Sequence, residues 1–435
     1  MSYSNTNKKS STFPDPLASA QEKLEKSYGL KYAKAIEGNW GKVDDESGTY
    51  RKRRKEFERN RDYANGTQDT TIYKQILNSL DPNNGDGTLL NLDWAPVPII
   101  PKFVKIVVNK ILSSDPYPNL QAIDPVSSSE KDAKKRKLEM QVQNKDLYAQ
   151  MKQSGISMSE DPSQIPDTLE EAEIFLDTNI KTDAEVAAQV ATNMTLSWND
   201  FNDSTFRRCV NDLVTLGMSV VKRENDPNQG IVTAYVDPCD FVHSYTEDPN
   251  FKDLVYAGHV KTITIEELKR TAMGEFEEEE FEKIARQVSG KFNNDSSVFG
   301  RKHYDDKRDR MTYGYDEYRI QILDFEFLSV DCMYFEDKDN RFGNTNFFFK
   351  GDQYVAPKSS VFERKSHKME NATVYGGKYI VGTDYIYDYG LKTNVPKNIH
   401  DISKARLSYS VSATNLRRMM PKSVVGSITG FADQL

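Results

Sequence analysis

Residues Phe206–Val242 read FRRCVNDLVTLGMSVVKRENDPNQGIVTAYVDPCDFV, and the reading of this stretch decides the fold. Its first part sets Phe206, Cys209, Val210, Leu213, Val214 and Leu216 at three- and four-residue steps, the spacing of one helix face. Gly217 ends that helix, because a residue without a Cβ enters the left-handed region at little cost. Met218–Lys222 and Ile231–Val236 are β-rich runs joined by the turn residues Asn225-Asp226-Pro227-Asn228-Gln229-Gly230, which predicts a hairpin over 218–236. Asp237-Pro238 stops the second strand, since proline cannot donate to a ladder. Helix, glycine, hairpin and proline corner together predict an α+β fold and carry no chemistry of their own.

Working outward, the chain has 435 residues, room for two or three domains. It is polar, with 29% charged and 37% hydrophobic residues, yet 23 Tyr and 21 Phe argue against wholesale disorder. That combination suits an elongated subunit that buries surface against copies of itself. A net charge of −8 argues against a protein that grips nucleic acid, which needs a basic surface to release counterions. It is compatible with one that DNA passes without sticking. No run approaches ~18 apolar residues, so no membrane span is expected, and MSYSNTNKKSSTF has no apolar segment of a secretory signal. Cys209, Cys239 and Cys332 form neither a disulfide framework nor a metal spacing, and a reducing cytoplasm is the natural place of synthesis.

Along the chain, Met1–Pro16 reads as a mobile polar tail and Leu17–Glu37 as a helix stopped by Gly38. Tyr50–Asn65 is a second helix, opening on Arg51-Lys52-Arg53-Arg54-Lys55, and a third lies around Thr70–Leu80. After Pro96, Pro98 and Pro101, the apolar run Phe103–Leu112 predicts the most buried helix of the N-terminal half. Ser127–Gln153 reads as a charged surface helix, Ser154–Pro166 as a linker, and Ala184–Trp198 as a helix. Thr168 with Glu171, and Thr264 with Glu267, have the spacing of helix-capping boxes, the second opening a helix Ile265–Ala272. Leu254–Thr262 is a strand, and 288–312 a polar linker loop. Tyr313–Tyr389 alternates polar and apolar residues with turns at Gly343 and Gly376-Gly377, a β-rich module; after Pro396 the pattern turns back toward helix.

No phosphate loop, H-E-x-x-H, G-x-S-x-G or paired-cysteine motif occurs, so neither an enzyme nor a cofactor is expected. His243, His259, His303, His367 and His400 are far apart in sequence. Asp324, Glu326, Asp331 and Glu336 are the acids with which a metal-dependent nuclease would hold Mg²⁺. Their alternation with Phe325 and Phe327 is also that of a solvated sheet edge, and no metal site is expected there.

Four segments, in order, resemble portal proteins of tailed bacteriophages. The first is the charged helix into RDYANGTQ (Arg61–Gln68), and the second KFVKIVVNKILSSDP (Lys102–Pro116). The third is the opening stretch with Val236-Asp237-Pro238, and the fourth YRIQILDFEF (Tyr318–Phe327). Each is short; their order and spacing carry the likeness, which is greatest to portals of short-tailed phages of gut Bacteroidota, the crAss-like group. The resemblance implies a ring of about twelve subunits at one capsid vertex. Double-stranded DNA would be packaged and ejected through that ring. A separate terminase would supply the energy, and the major capsid protein and neck or tail adaptors would be the other partners. It implies synthesis in the host bacterial cytoplasm and a place in the virion.

By order, a wing would occupy 17–262, a first stem helix 264–287, a β-rich clip 313–414, and a second stem helix would start at 423–435. The family's tunnel loop, returning wing segment and crown would need residues beyond Leu435. The acidic run Glu277, Glu278, Glu279 and Glu280 is the candidate for the channel lining. Phe325, Phe327, Phe347, Phe348, Tyr385 and Tyr387 are the candidates for contact with neighbouring subunits. The rival class without catalysis is another neck, adaptor or head-completion protein.

Overall fold

The computed structural model describes residues 13–40, 49–69, 98–114, 120–146, 181–226, 230–272, 274–284, 319–339, 345–350, 365–393 and 401–432, with a few single positions and the pairs 170–171 and 397–398 besides. The expected tail up to residue 12, the helix around 70–80 and the linkers 154–165 and 288–312 lie outside them. Helices and antiparallel sheets are both present, so the fold is α+β. The chain divides into two compact units: the described residues of Met1–Leu112 and Arg207–Leu435, and those of Ser113–Phe206. No helix among the described residues is long and apolar enough to cross a membrane.

In the first unit the chain order begins with α1 (Ala20–Leu24), α2 (Lys26–Trp40), α3 (Thr49–Asn65) and α4 (Ile99–Leu112). The second unit holds α5 (Pro125–Gln143) and α6 (Asp183–Trp198), followed by a π turn at Phe201–Phe206. The first unit resumes with α7 (Arg207–Thr215) and the hairpin β1 (Met218–Asp226) and β2 (Gly230–Val236). Gly217 takes φ +78° between them, and a Cβ there would lie 2.6 Å from the Lys422 carbonyl oxygen. The turn and the close approach both demand glycine.

Next come β3 (Phe241–His243), β4 (Tyr256–Thr264) and α8 (Ile265–Thr271). They are followed by β5 (Arg319–Asp339), β6 (Thr345–Lys350), β7 (Lys365–Ile380) and β8 (Ile386–Leu391). The short strands β9 (Lys397–Asn398) and β10 (Asp401–Ala405), then β11 (Tyr409–Ala413), lead to the helix α9 (Val424–Ala432). Where the pattern after Pro396 predicts helix, the chain therefore forms strands first and helix only from Val424.

The main sheet runs β3-β4-β5-β7-β8, with β6 on the far half of β5; a second sheet runs β11-β1-β2. Strand β5 is its spine, with 21 residues spanning roughly 70 Å. Residues Tyr256–Thr264 pair with Arg319–Phe327, and Met218–Lys222 pair with Tyr409–Ala413. The expected wing (17–262) and clip (313–414) therefore share both sheets and do not fold as separate domains. The expected stem helix over 264–287 is also interrupted. Helix α8 ends at Thr271, Gly274 takes φ +76°, and a second short helix covers 278–284.

Around Ile320–Phe327 of β5 both faces of the main sheet are covered. Tyr28, Tyr32, Ala33 and Ile36 of α2 lie on one face against Leu323, Phe325, Phe327, Tyr375 and Tyr379. The Tyr32 and Phe327 rings stack at 4.0 Å. Helix α2 continues through Gly38 to Trp40 and is the most buried of the described helices in the N-terminal half, the place expected for 103–112. Helix α4 buries only Ile100, Val104 and Val108, and leaves Ile99, Phe103, Ile106 and Val107 exposed. On the sheet's other face, Met218, Val220, Val236 and Val411 of the small sheet pack against Phe241, Ala257 and Val374. A third cluster joins Leu268, Phe281 and Ile284 to Ile320, Ile322 and Ile380. Helices α3, α4, α7 and α9 pack on one another, and Ser423 caps α9 through Gly426 N–H at 2.8 Å.

In the second unit, Thr182 and Glu185 form a complete capping box at α6. The buried Glu185 carboxylate also accepts from Ala122 N–H at 2.7 Å and pairs with Lys131 at 2.6 Å. Burial alone would raise its pKa; Lys131 and the two N–H groups pull it down to about 2. Phe327→Ala removes the ring stacked on Tyr32 and is expected to cost roughly 3–5 kcal/mol, read as a lower urea midpoint at unchanged m-value.

Candidate functional site

Alternation along β5 sends Leu323, Phe325 and Phe327 to the α2 face, and Asp324 and Glu326 to the face covered by the small sheet. What reads as a solvated edge is therefore interior: Asp324 is 6% and Glu326 2% exposed. Lys222 of β1 reaches across to pair with Asp324 and with Glu224. The Tyr409 hydroxyl donates to the Asp324 carbonyl oxygen at 3.1 Å and lies 2.8 Å from His259 Nδ1. Glu326 accepts the Ser408 N–H at 2.9 Å.

Burial alone would push Asp324 up, but the Lys222 charge overrides it and holds the carboxyl below the usual range. Burial opposes the charge on Lys222, and Asp324, Glu224 and Glu326 restore it. For Glu326 burial wins, and its pKa is raised. This is a locked ion pair between two sheets, held in fixed protonation states rather than poised to exchange a proton.

The four acids that a metal-dependent nuclease would need for Mg²⁺ do not converge. Asp331 turns to the α2 side, taking hydrogen bonds from Tyr375 at 2.8 Å and Thr373 at 2.7 Å and pairing with Lys23. Glu336 lies ten residues beyond Glu326 on the same strand, roughly 33 Å away. Among the described residues no group of three or more His, Cys, Asp or Glu is placed to hold a metal ion.

A second polar centre joins segments that the sequence shows only separately. Arg61, at the head of RDYANGTQ, clamps Asp237 of the Val-Asp-Pro corner with two hydrogen bonds of 3.0 and 2.9 Å. It gives a third to Asp212 of α7 at 3.3 Å, and Tyr235 donates to the other oxygen of Asp212. Burial raises the Asp212 pKa despite Arg61. Beside this clamp a cleft of about 330 Å³ is lined by Arg61, Asn65, Pro101, Lys105, Arg208 and Tyr235. The first three segments of the resemblance therefore meet around one arginine. The signal in the sequence is the pairing of a helical Arg with a pre-proline Asp, but nothing local says which Arg.

Arg53, from the basic run near the start of α3, is buried. Its guanidinium donates to the Phe241 carbonyl and to His243 Nε2, both at 2.6 Å, and lies 5.1 Å from the Trp40 ring. The His243 Nδ1–H donates to the Ser244 carbonyl at 2.7 Å, so the ring is a neutral acceptor toward Arg53. Burial, then Arg53, drive its pKa down to about 3.

Of the expected subunit contacts, Phe325 and Phe327 lie under α2 and Tyr387 is 2% exposed, so all three belong to the chain's own core. Tyr385 is half-buried with its ring edge on Phe276, and Phe348 is exposed; the Phe347 side chain lies outside the described residues. Glu277, Glu278 and Glu279 are exposed and Glu280 half-buried, its carboxylate accepting the Glu277 N–H at 3.0 Å.

Two measurements check these centres. Lys222→Met strands Asp324 and is expected to cost roughly 3–5 kcal/mol, while Lys222→Met with Asp324→Leu recovers most of it; urea midpoints of the two variants decide. The second is acid sensitivity. His259 is held down to about 4 by burial and by Lys222, against Asp324, and His243 lies at about 3. Both folded values are below the unfolded ~6.5, so the unfolded chain binds more protons between them. Their stability is full above pH ~6.5 and falls with pH, by up to about 1.4 kcal/mol per unit for each imidazole. The change of slope between wild type and His259→Gln isolates that imidazole from Glu326 and Asp212, which titrate with the opposite sign.

Set against known proteins, the chain matches no protein-family model and no curated protein.

Proposed function

We propose that this chain is a structural subunit of a phage portal, one of about twelve that close a ring at a capsid vertex. Double-stranded DNA passes through that ring during packaging and ejection. The observation that carries the reading is apolar surface left open in continuous stripes. Ile99, Phe103 and Ile106 on α4, and Val186, Val190, Met194 and Trp198 on α6, are large side chains facing outward at helical spacing. Stripes of this kind mark surfaces that associate. The chain also carries a formal net charge of −8, and Glu277–Glu279 are exposed. A ring lined by such charge repels a duplex and keeps it moving, where tight phosphate contacts would stall it.

In this role the protein has no chemistry of its own. Terminase supplies the energy of packaging, the major capsid protein holds the vertex, and neck or tail adaptors dock after filling. The place of action is the virion, after synthesis in the host cytoplasm. Negative-stain images of the purified protein are expected to show closed rings with an axial opening wide enough for duplex DNA. Particles that remain single compact subunits at high protein concentration would end the proposal.

A further inference from the structure

Helix α4 has two apolar faces. Ile100, Val104 and Val108 are buried, and about a third of a turn round the helix Ile99, Phe103 and Ile106 are not. Phe103 is 60% exposed. Helix α6 is built the other way round. Its buried positions are polar, Glu185 and Gln189, while Val186, Val190, Met194 and Trp198 form an open ridge at four-residue steps. Trp198 is 75% exposed.

The charges differ as the apolar stripes match. Helix α4 carries Lys102, Lys105 and Lys110 and no acid. From Asp183 to Phe206 the chain carries Asp183, Glu185, Asp200 and Asp203 and no base. The helices are also of similar length, 14 and 16 residues, about 21 and 24 Å. A ridge of i+4 steps is the feature that fits the groove of a second helix.

We infer that the open stripe of α4 is an interaction surface whose occupant is the α6 ridge of a second copy of this chain. Ile99, Phe103 and Ile106 receive Val190, Met194 and Trp198, with lysines of one copy facing aspartates of the next. The two patches are different, so the contact is heterologous. Each copy offers one α4 and one α6, and repetition of a heterologous contact closes into a ring when its rotation allows. The inference rests on the ring reading above and names the surfaces that would close it.

Complementation tests it. Mass photometry or sedimentation velocity is run on wild type, on Ile106→Glu, on Val190→Glu, and on an equal mixture of the two variants. Wild type is expected to form a closed oligomer and each variant alone to stay monomeric. The mixture is expected to form dimers, because it holds one intact α4 and one intact α6 and no more. That rescue also shows that both variants are folded. Variants that assemble like wild type would overturn the inference and leave the ring reading standing, the ring then closing through other surfaces. A mixture that stays monomeric would overturn it too. A monomeric wild type would remove both.

Discussion

Once a strand is covered on both faces, every side chain on it is interior, whichever type it is. Strand β5 is in that position from Ile320 to Phe327. Helix α2 lies on its odd-numbered side and the small sheet on its even-numbered side, where Asp324 and Glu326 fall among apolar neighbours. A buried carboxylate without a counter-charge costs several kcal/mol, and where the two sheets stack Lys222 arrives from β1 to meet it. The Tyr409 hydroxyl and the Ser408 N–H complete the joint. The ion pair fixes the register between the sheets more than it adds stability, since an apolar pair of the same shape would pack there at less desolvation cost.

The corner held by Arg61 does for the helices what Lys222 does for the sheets. Asp237 sits where the hairpin turns away, and the guanidinium ties that turn to α3 and to Asp212 of α7. A planar fork that meets a carboxylate with two parallel bonds sets orientation as well as distance. Helix α4 then lies against α3 and α7 with one apolar face spent inward and the other open. At these two joints the chain pairs its buried charges internally, yet it leaves large apolar side chains outside.

Much of the local structure is legible in the residues. The helix stop at Gly217, the hairpin 218–236, the strand at β4 and the capping hydroxyl of Thr264 follow from rules that act over a few residues, and each stands in the structure. Gly38 marks the limit of such rules. Glycine weakens a helix by about 1 kcal/mol, and the packing of Tyr32, Ile36 and Trp40 outweighs it, so α2 runs on.

What tertiary structure alone decided is which faces are covered. Period-two alternation tells that Phe325 and Glu326 point opposite ways, but not that both directions lead inward. That depends on a helix some 290 residues earlier and on Lys222, 102 residues from Asp324 in the chain. The same reason turned Phe325, Phe327 and Tyr387 from expected subunit contacts into core, and the run 103–112 from the expected core into a helix with an open side. Composition and spacing determine what a segment becomes; only the folded chain determines what lies against it, because burial is a property of pairs of segments and no single segment contains it.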